Sequence, residues 1–393
     1  MRYFLLFPNM FGFKGGIQVY SEFLLRGLQI LSPSAEYDVF LKYDRQSSPN
    51  SQFLPQTQFH CFGSLPRILQ SFWLAFSVLW LSIRKRPSLM ISTHVNYSPI
   101  CYWLKRLFGV RYWVVVHGLE GWNLSHKGQC LALRYADKVV AVSYYTRSRL
   151  LAEQQLDESQ VVVLPNTFEP SRFQIAPKPD YLLERYGLKA EQPIILTVTR
   201  LGKSARYKGY DRILQALVLV KKLIPDVHYV LVGKGDDTPR IKELISELGL
   251  SDCVTLTGFV PDEELCDYYN LCDVFALPSK GEGFGIVYLE ALACGKPALA
   301  GNLDGAVDPL LGGKLGCLVE PDDVGAIASN LLQLLWKSYP NPLLFQRTLL
   351  RSQVIQLFAF EGFCSCLREL LKYEAMNSEF NLLDRFLQAH SLG

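Results

Sequence analysis

Apolar residues along this chain fall into short compact runs separated by segments of helical spacing, the alternation that doubly wound α/β domains produce. Arg2 to Phe7 reads as a first buried strand. It leads through Asn9-Met-Phe-Gly-Phe-Lys-Gly-Gly16 into a helix with Val19, Phe23, Leu24, Gly27 and Leu28 at helical spacing. Further strands are expected at 89–93, 111–116, 138–142 and 161–164. After a proline-dense stretch from Pro165 to Pro179 the pattern restarts with a strand at 194–199 and a helix opened by Lys208-Gly209. Strands follow at 229–232, 254–257, 273–277, 298–300 and 316–319. The expected organisation is a Rossmann-like domain over 1–170, a linker over 171–180 and a second Rossmann-like domain over 181–357. Helices over 358–393 are expected to pack back toward the first domain.

The densest chemistry lies in Pro278 to Pro297. Gly281, Gly283 and Gly285 alternate with Lys280, Glu282 and Phe284, so the backbone can turn sharply and approach a ligand. A helix begins near Gly285 and stops at Gly295 and Pro297. Its first N–H groups, at Phe284, Gly285, Ile286 and Val287, make a seat for phosphate oxygens. Glu282 then sits in the loop and Glu290 roughly 7 Å along the helix, so that both carboxylates can face one cleft. An ordinary turn with two solvated glutamates has the same spacing. Gly15 and Gly16 allow the first loop to close over a phosphate, or form a plain turn. His117 ends the strand 111–116, where ligands bind in open α/β sheets unless the histidine belongs to the core.

Composition narrows the classes. A chain of 393 residues that is 49% hydrophobic can build two ordinary domains. The ten cysteines show no CxxC or zinc spacing, and Met1 to Pro8 is too short an apolar run for a signal peptide, so a reducing cytoplasm is the expected compartment. Residues 67–149 carry twelve Lys/Arg against Glu120 and Asp137. Such a field suits a membrane surface, a phosphorylated lipid or a nucleic acid, and is also compatible with a solvated face. No recognition helix accompanies it, and nucleic acid is not expected as a partner. Ile68 to Ile83 holds no charge but is shorter than the ~20 residues of a spanning helix. It is read as a buried core helix, with an interfacial helix presenting Trp73 and Trp80 as the second reading.

Taken together, Glu282-Gly-Phe-Gly-Ile-Val-Tyr-Leu-Glu290, the pair Arg200 and Lys208, Gly233-Lys-Gly235 and Asp273-Val-Phe-Ala-Leu-Pro-Ser279 resemble the retaining glycosyltransferases of family 4. That family implies the GT-B fold, two facing doubly wound domains with a cleft between them. The resemblance implies a nucleotide-diphosphate-sugar donor whose diphosphate lies between Arg200, Lys208 and the amides of Phe284 to Val287. It places the ribose on Glu290, the base on the backbone of Phe259 and Val260, Glu282 by the sugar ring, and His117 reaching the transferred sugar. The loop from Arg200 to Lys208 is longer than many family members carry, and Lys203 or Arg206 is the alternative for one member of that pair. No metal and no cofactor are expected. The implied enzyme is a retaining hexosyltransferase acting on a glycan or lipid-linked acceptor in cell-surface or exopolysaccharide synthesis, cytoplasmic and in peripheral contact with an anionic membrane. Alternatives are a soluble sugar-phosphate glycosyltransferase, a nucleotide-sugar epimerase, or a scaffold that binds nucleotide-sugar without turnover.

Overall fold

The computed structural model describes residues 1–12, 15–47 and 53–372. Lys14 of the first glycine loop and the tail beyond Lys372 lie outside them. Contacts divide the chain into two units. One is Met1–Val115 with Leu131–Val140 and the segment from Phe360 onward, and the other is Val116–Cys130 with Ala141–Ala359.

The first unit is built on β1 (Arg2–Phe7), β2 (Glu36–Leu41), β3 (Thr57–Cys61), β4 (Leu89–Ser92), β5 (Arg111–Val116) and β6 (Lys138–Ala141), in the order β3-β2-β1-β4-β5-β6. β1 pairs in parallel with β2 and with β4, and Tyr3 stands opposite both Tyr37 and Leu89. Phe4 to Phe7 are fully buried, as a strand covered on both faces requires. The hydrophobic pattern missed β2 and β3. Glu36 and Asp38 interrupt the first, and β3 is a half-exposed edge. Asp38 is buried because Lys85 and the His60 ring meet it at 2.8 and 2.9 Å.

The helix Phe360–Lys372 packs on the helix Gly16–Leu31 within this unit. Phe360 lies 5.3 Å from Phe23 and Phe363 lies 5.7 Å from Tyr20, ring centre to ring centre. Leu367 crosses at Gly27, where a Cβ would stand 3.0 Å from it. The helix Arg67–Lys85 corrects the core reading of residues 68–83. It buries only Gln70, Leu74, Val78, Leu81 and Ser82, while Ile68, Phe72, Trp73, Phe76 and Trp80 are among its exposed residues. Apolar composition alone does not distinguish one buried stripe from burial all round.

The second unit contains β7 (Val161–Val163) and a parallel sheet of β8 (Ile194–Val198), β9 (His228–Val232), β10 (Val254–Gly258), β11 (Val274–Leu277), β12 (Ala298–Gly301) and β13 (Cys317–Val319). The sheet order is β10-β9-β8-β11-β12-β13. The chain winds outward from β8 in one direction and from β11 in the other. This leaves a crevice beyond the carboxyl ends of β8 and β11, the place where open α/β sheets bind ligands.

Candidate functional site

Two loops rise into that crevice, the one after β8 and the one after β11. The second is fixed by steric necessity at each of its glycines. A Cβ on Gly281 would come within 2.6 Å of the Tyr207 ring, and one on Gly283 within 1.5 Å of the His117 carbonyl oxygen. Gly285 has φ +92 and its Cβ would fall 2.5 Å from the Tyr288 ring. Gly118, at φ +136, and Gly305 crowd Gly283 from two other sides. Glycine is required here because three backbone segments and two tyrosine rings crowd into one place. The helix Ile286–Ala293 starts directly after Gly285 with no side chain capping it, so its first amides keep their donors for something else.

Charged groups collect beside this loop. The Lys208 ammonium forms a mostly buried ion pair with the Glu282 carboxylate. The backbone N–H of Glu282 donates to Asp304 Oδ2 at 2.7 Å, and the Ser279 hydroxyl donates to the same oxygen at 2.5 Å. Burial, reinforced by the nearby Glu282 charge, pushes the Asp304 carboxyl up to about 6. Burial opposes the Lys208 charge, but Glu282, Tyr207 and Asp304 together hold its pKa above the ordinary lysine value. Tyr207 is raised by burial, and the charges acting on its hydroxyl are those of Lys208, Glu282, Arg200 and Asp304. Arg200, exposed just past the end of β8, is thus near enough for its charge to act on Tyr207. Tyr207 and Asp304 were not singled out from sequence, since their importance comes from the charges folded around them.

Glu290 lies on the helix after the loop and accepts from the Tyr269 hydroxyl at 2.7 Å. Burial pushes its carboxyl up to about 7; Tyr269 and Arg172 pull it down and Asp262 pushes it up. Gly233 follows β9 with φ +140, and a Cβ there would stand 1.8 Å from the Thr199 carbonyl oxygen, which ties it to the backbone beside Arg200. Phe259 and Val260 follow β10. Phe259 is 65% exposed, with the Lys234 ammonium 4.8 Å from its ring centre. His117 belongs to this same unit, where its backbone N–H is held by the Glu120 carboxylate. Gly15 and Gly16 lie in the other unit, at the start of the helix Gly16–Leu31.

Arg206, the alternative cation of the loop from Arg200 to Lys208, already has a partner. The Arg206 guanidinium is committed to the buried Asp237, donating at 2.9 and 2.6 Å to a carboxylate that also receives Arg240 and the Tyr210 hydroxyl. These partners hold Asp237 well below the usual carboxylate range against the opposing effect of burial. Arg206 thus ties the loop to the helix that Asp237 opens, and both Arg206 and Lys203 are exposed.

Residues 182–341 match the family model described as glycosyl transferases group 1, and residues 14–172 match that of glycosyltransferase family 4. Among curated proteins the chain is 36% identical over 233 residues to a GDP-mannose-dependent alpha-(1-6)-phosphatidylinositol monomannoside mannosyltransferase of Mycolicibacterium smegmatis. That alignment covers 56% of this chain and 59% of the relative, so the chain spans little more than half the length of that protein. It is 27% identical to the 2-deoxystreptamine glucosyltransferase of Streptomyces kanamyceticus, over 68% of this chain and 74% of the relative. Among solved structures, sucrose-phosphate synthase from Thermosynechococcus elongatus superposes with a TM-score of 0.78 at 22% identity, covering 95% of this chain and 100% of that one. Anabaena HepE in complex with UDP and glucose gives 0.76 at 19%, covering 95% and 99%. These likenesses establish the fold class, GT-B.

Proposed function

The chain belongs to glycosyltransferase family 4, and on that premise we propose that it transfers a hexose from a nucleotide-diphosphate-sugar to a glycan or lipid-linked acceptor, with retention and without a metal ion. The observation that carries this reading is the cluster of Arg200, Lys208 and Glu282 at the carboxyl ends of β8 and β11, beside an uncapped helix N-terminus.

Two cations and a helix dipole can neutralise a departing diphosphate, the role a divalent ion plays elsewhere. Charge-assisted hydrogen bonds of that kind contribute roughly 1.5–3 kcal/mol each. Lys208 already has Glu282 as its partner, so an incoming diphosphate competes for the ammonium and frees Glu282 toward the sugar. Glu290 takes the ribose hydroxyls, and the backbone at Phe259 and Val260 takes the base. His117 and the amides of Phe284 to Val287 line the remainder. In the transfer, the bond from the anomeric carbon to the leaving phosphate oxygen breaks while the acceptor oxygen bonds on the same face. That phosphate oxygen receives the acceptor's proton. The cellular role we favour is synthesis of a cell-surface polysaccharide or exopolysaccharide.

A thermal-shift panel of uridine, guanosine, adenosine and thymidine diphosphate-sugars tests this, with Arg200→Ala as control. A donor at 100 times its dissociation constant adds ~2.7 kcal/mol of stability. One base class should raise Tm in the wild type and lose that effect in the variant. No shift with any of the four contradicts the reading.

A further inference from the structure

The helix Arg67–Lys85 carries an apolar face that no part of the described chain covers. Its buried residues form one stripe, and at roughly 100° per residue Phe72, Phe76, Leu79 and Ile83 fall on the opposite side. Exposure on that side runs from 38% for Leu79 to 61% for Phe72, and Ile68 at the helix start reaches 89%. Phe72, Trp73 and Phe76 touch ring to ring, so the patch is continuous. The helix Ser98–Phe108 packs against it and carries Trp103 and Leu107, 60% and 63% exposed. Single exposed apolar residues are ordinary, but a contiguous set of this size marks a surface that something covers.

Charge selects the occupant. Arg67 stands exposed at one end of the helix, Arg84 and Arg86 at the other, and Arg106 on the neighbouring helix. No Asp or Glu occurs anywhere from Arg45 to Leu119. A second copy of the same face would set cation against cation, whereas an anionic lipid leaflet complements it. The Arg84 guanidinium lies 4.0 Å over the Trp80 ring, which places an aromatic body and a charged tip side by side, as at the headgroup boundary. Among the described residues no helix is long and apolar enough to cross a membrane.

We propose that the helix Arg67–Lys85 lies in the plane of an anionic leaflet, with Phe72, Phe76, Trp80 and Ile83 entering the acyl boundary. Arg67, Arg84, Arg86 and Arg106 then engage lipid phosphates. The inference rests on the transferase reading only for its purpose, which is to hold the enzyme where a lipid-linked acceptor is presented. The test is co-sedimentation of the full chain with vesicles of phosphatidylcholine, with or without phosphatidylglycerol, at low and high salt. Binding should require phosphatidylglycerol, weaken with salt, and fall about tenfold or more in a Phe72→Ser, Phe76→Ser, Trp80→Ser triple variant. Because all three side chains are exposed, that variant should keep the wild-type Tm and the nucleotide-sugar shift. Absence of binding to anionic vesicles at low salt overturns the proposal, as does equal binding by the triple variant. A wild-type dimer in sedimentation velocity that the triple variant abolishes assigns the face to a second copy instead. Vesicle binding without any nucleotide-sugar shift contradicts the donor reading and leaves the membrane surface standing.

Discussion

Two glycine-rich loops in this chain lead from a central strand into a helix, and they solve different problems. At the start of the helix Gly16–Leu31, Gly15 is extended and a Cβ on Gly16 would meet nothing within 4 Å. After β11, Gly281, Gly283 and Gly285 are each closed to a side chain by a ring or a carbonyl oxygen. Both read alike in sequence. The first permits close approach by a ligand, while the second is demanded by the protein's own packing before any ligand arrives.

Substitutions can break that contrast. Gly283→Ala drives a methyl into the His117 carbonyl and should cost more than ~4 kcal/mol, read as loss of soluble protein or a collapsed Tm. Tolerance of that change would mean the crossing of backbones is not tight.

Glu290, on the helix beyond the loop, gives the next largest effect. Its carboxyl, raised to about 7, keeps its proton in the folded state where the unfolded chain has lost it. Stability from this group is therefore complete below about pH 4.5, falls as pH rises toward 7, and is flat above, for a total of ~3 kcal/mol. Glu290→Gln should remove that part of the pH profile in denaturant melts. Asp304 and Asp308, both raised to about 6, contribute the same sign and persist in the variant. An unchanged profile would show that Glu290 is ionised and solvated.

The smallest effect is at the first loop. Gly16→Ala should leave stability unchanged or raise it by up to about 1 kcal/mol, because alanine suits a helix start and has room. A fall in turnover with Tm intact would assign Gly16 to ligand approach. Turnover and Tm both unchanged would make it a plain turn.

Much of this arrangement was legible beforehand. The strands leading to Arg200 and to the glycine loop were marked by compact apolar runs, and the switch point follows from their order. The pairing of Lys208 with Glu282 was not legible, since 74 residues separate them and only the fold closes that distance. Asp304 and Tyr207 stayed hidden for the same reason. The partner of Arg206 was equally hidden, since Asp237 stands 31 residues on and only the fold brings it against the guanidinium. The helix Arg67–Lys85 misled, its outer face being as apolar as a core.

The central claim is that Lys208 and its neighbours hold the donor's diphosphate, and steady-state turnover of Lys208→Ala on the donor that the thermal-shift panel selects tests it most directly. The account predicts a fall of about 100-fold or more, the equivalent of ~2.7 kcal/mol of lost transition-state stabilisation, with the variant still folded. Near-normal turnover in a folded Lys208→Ala enzyme would contradict it.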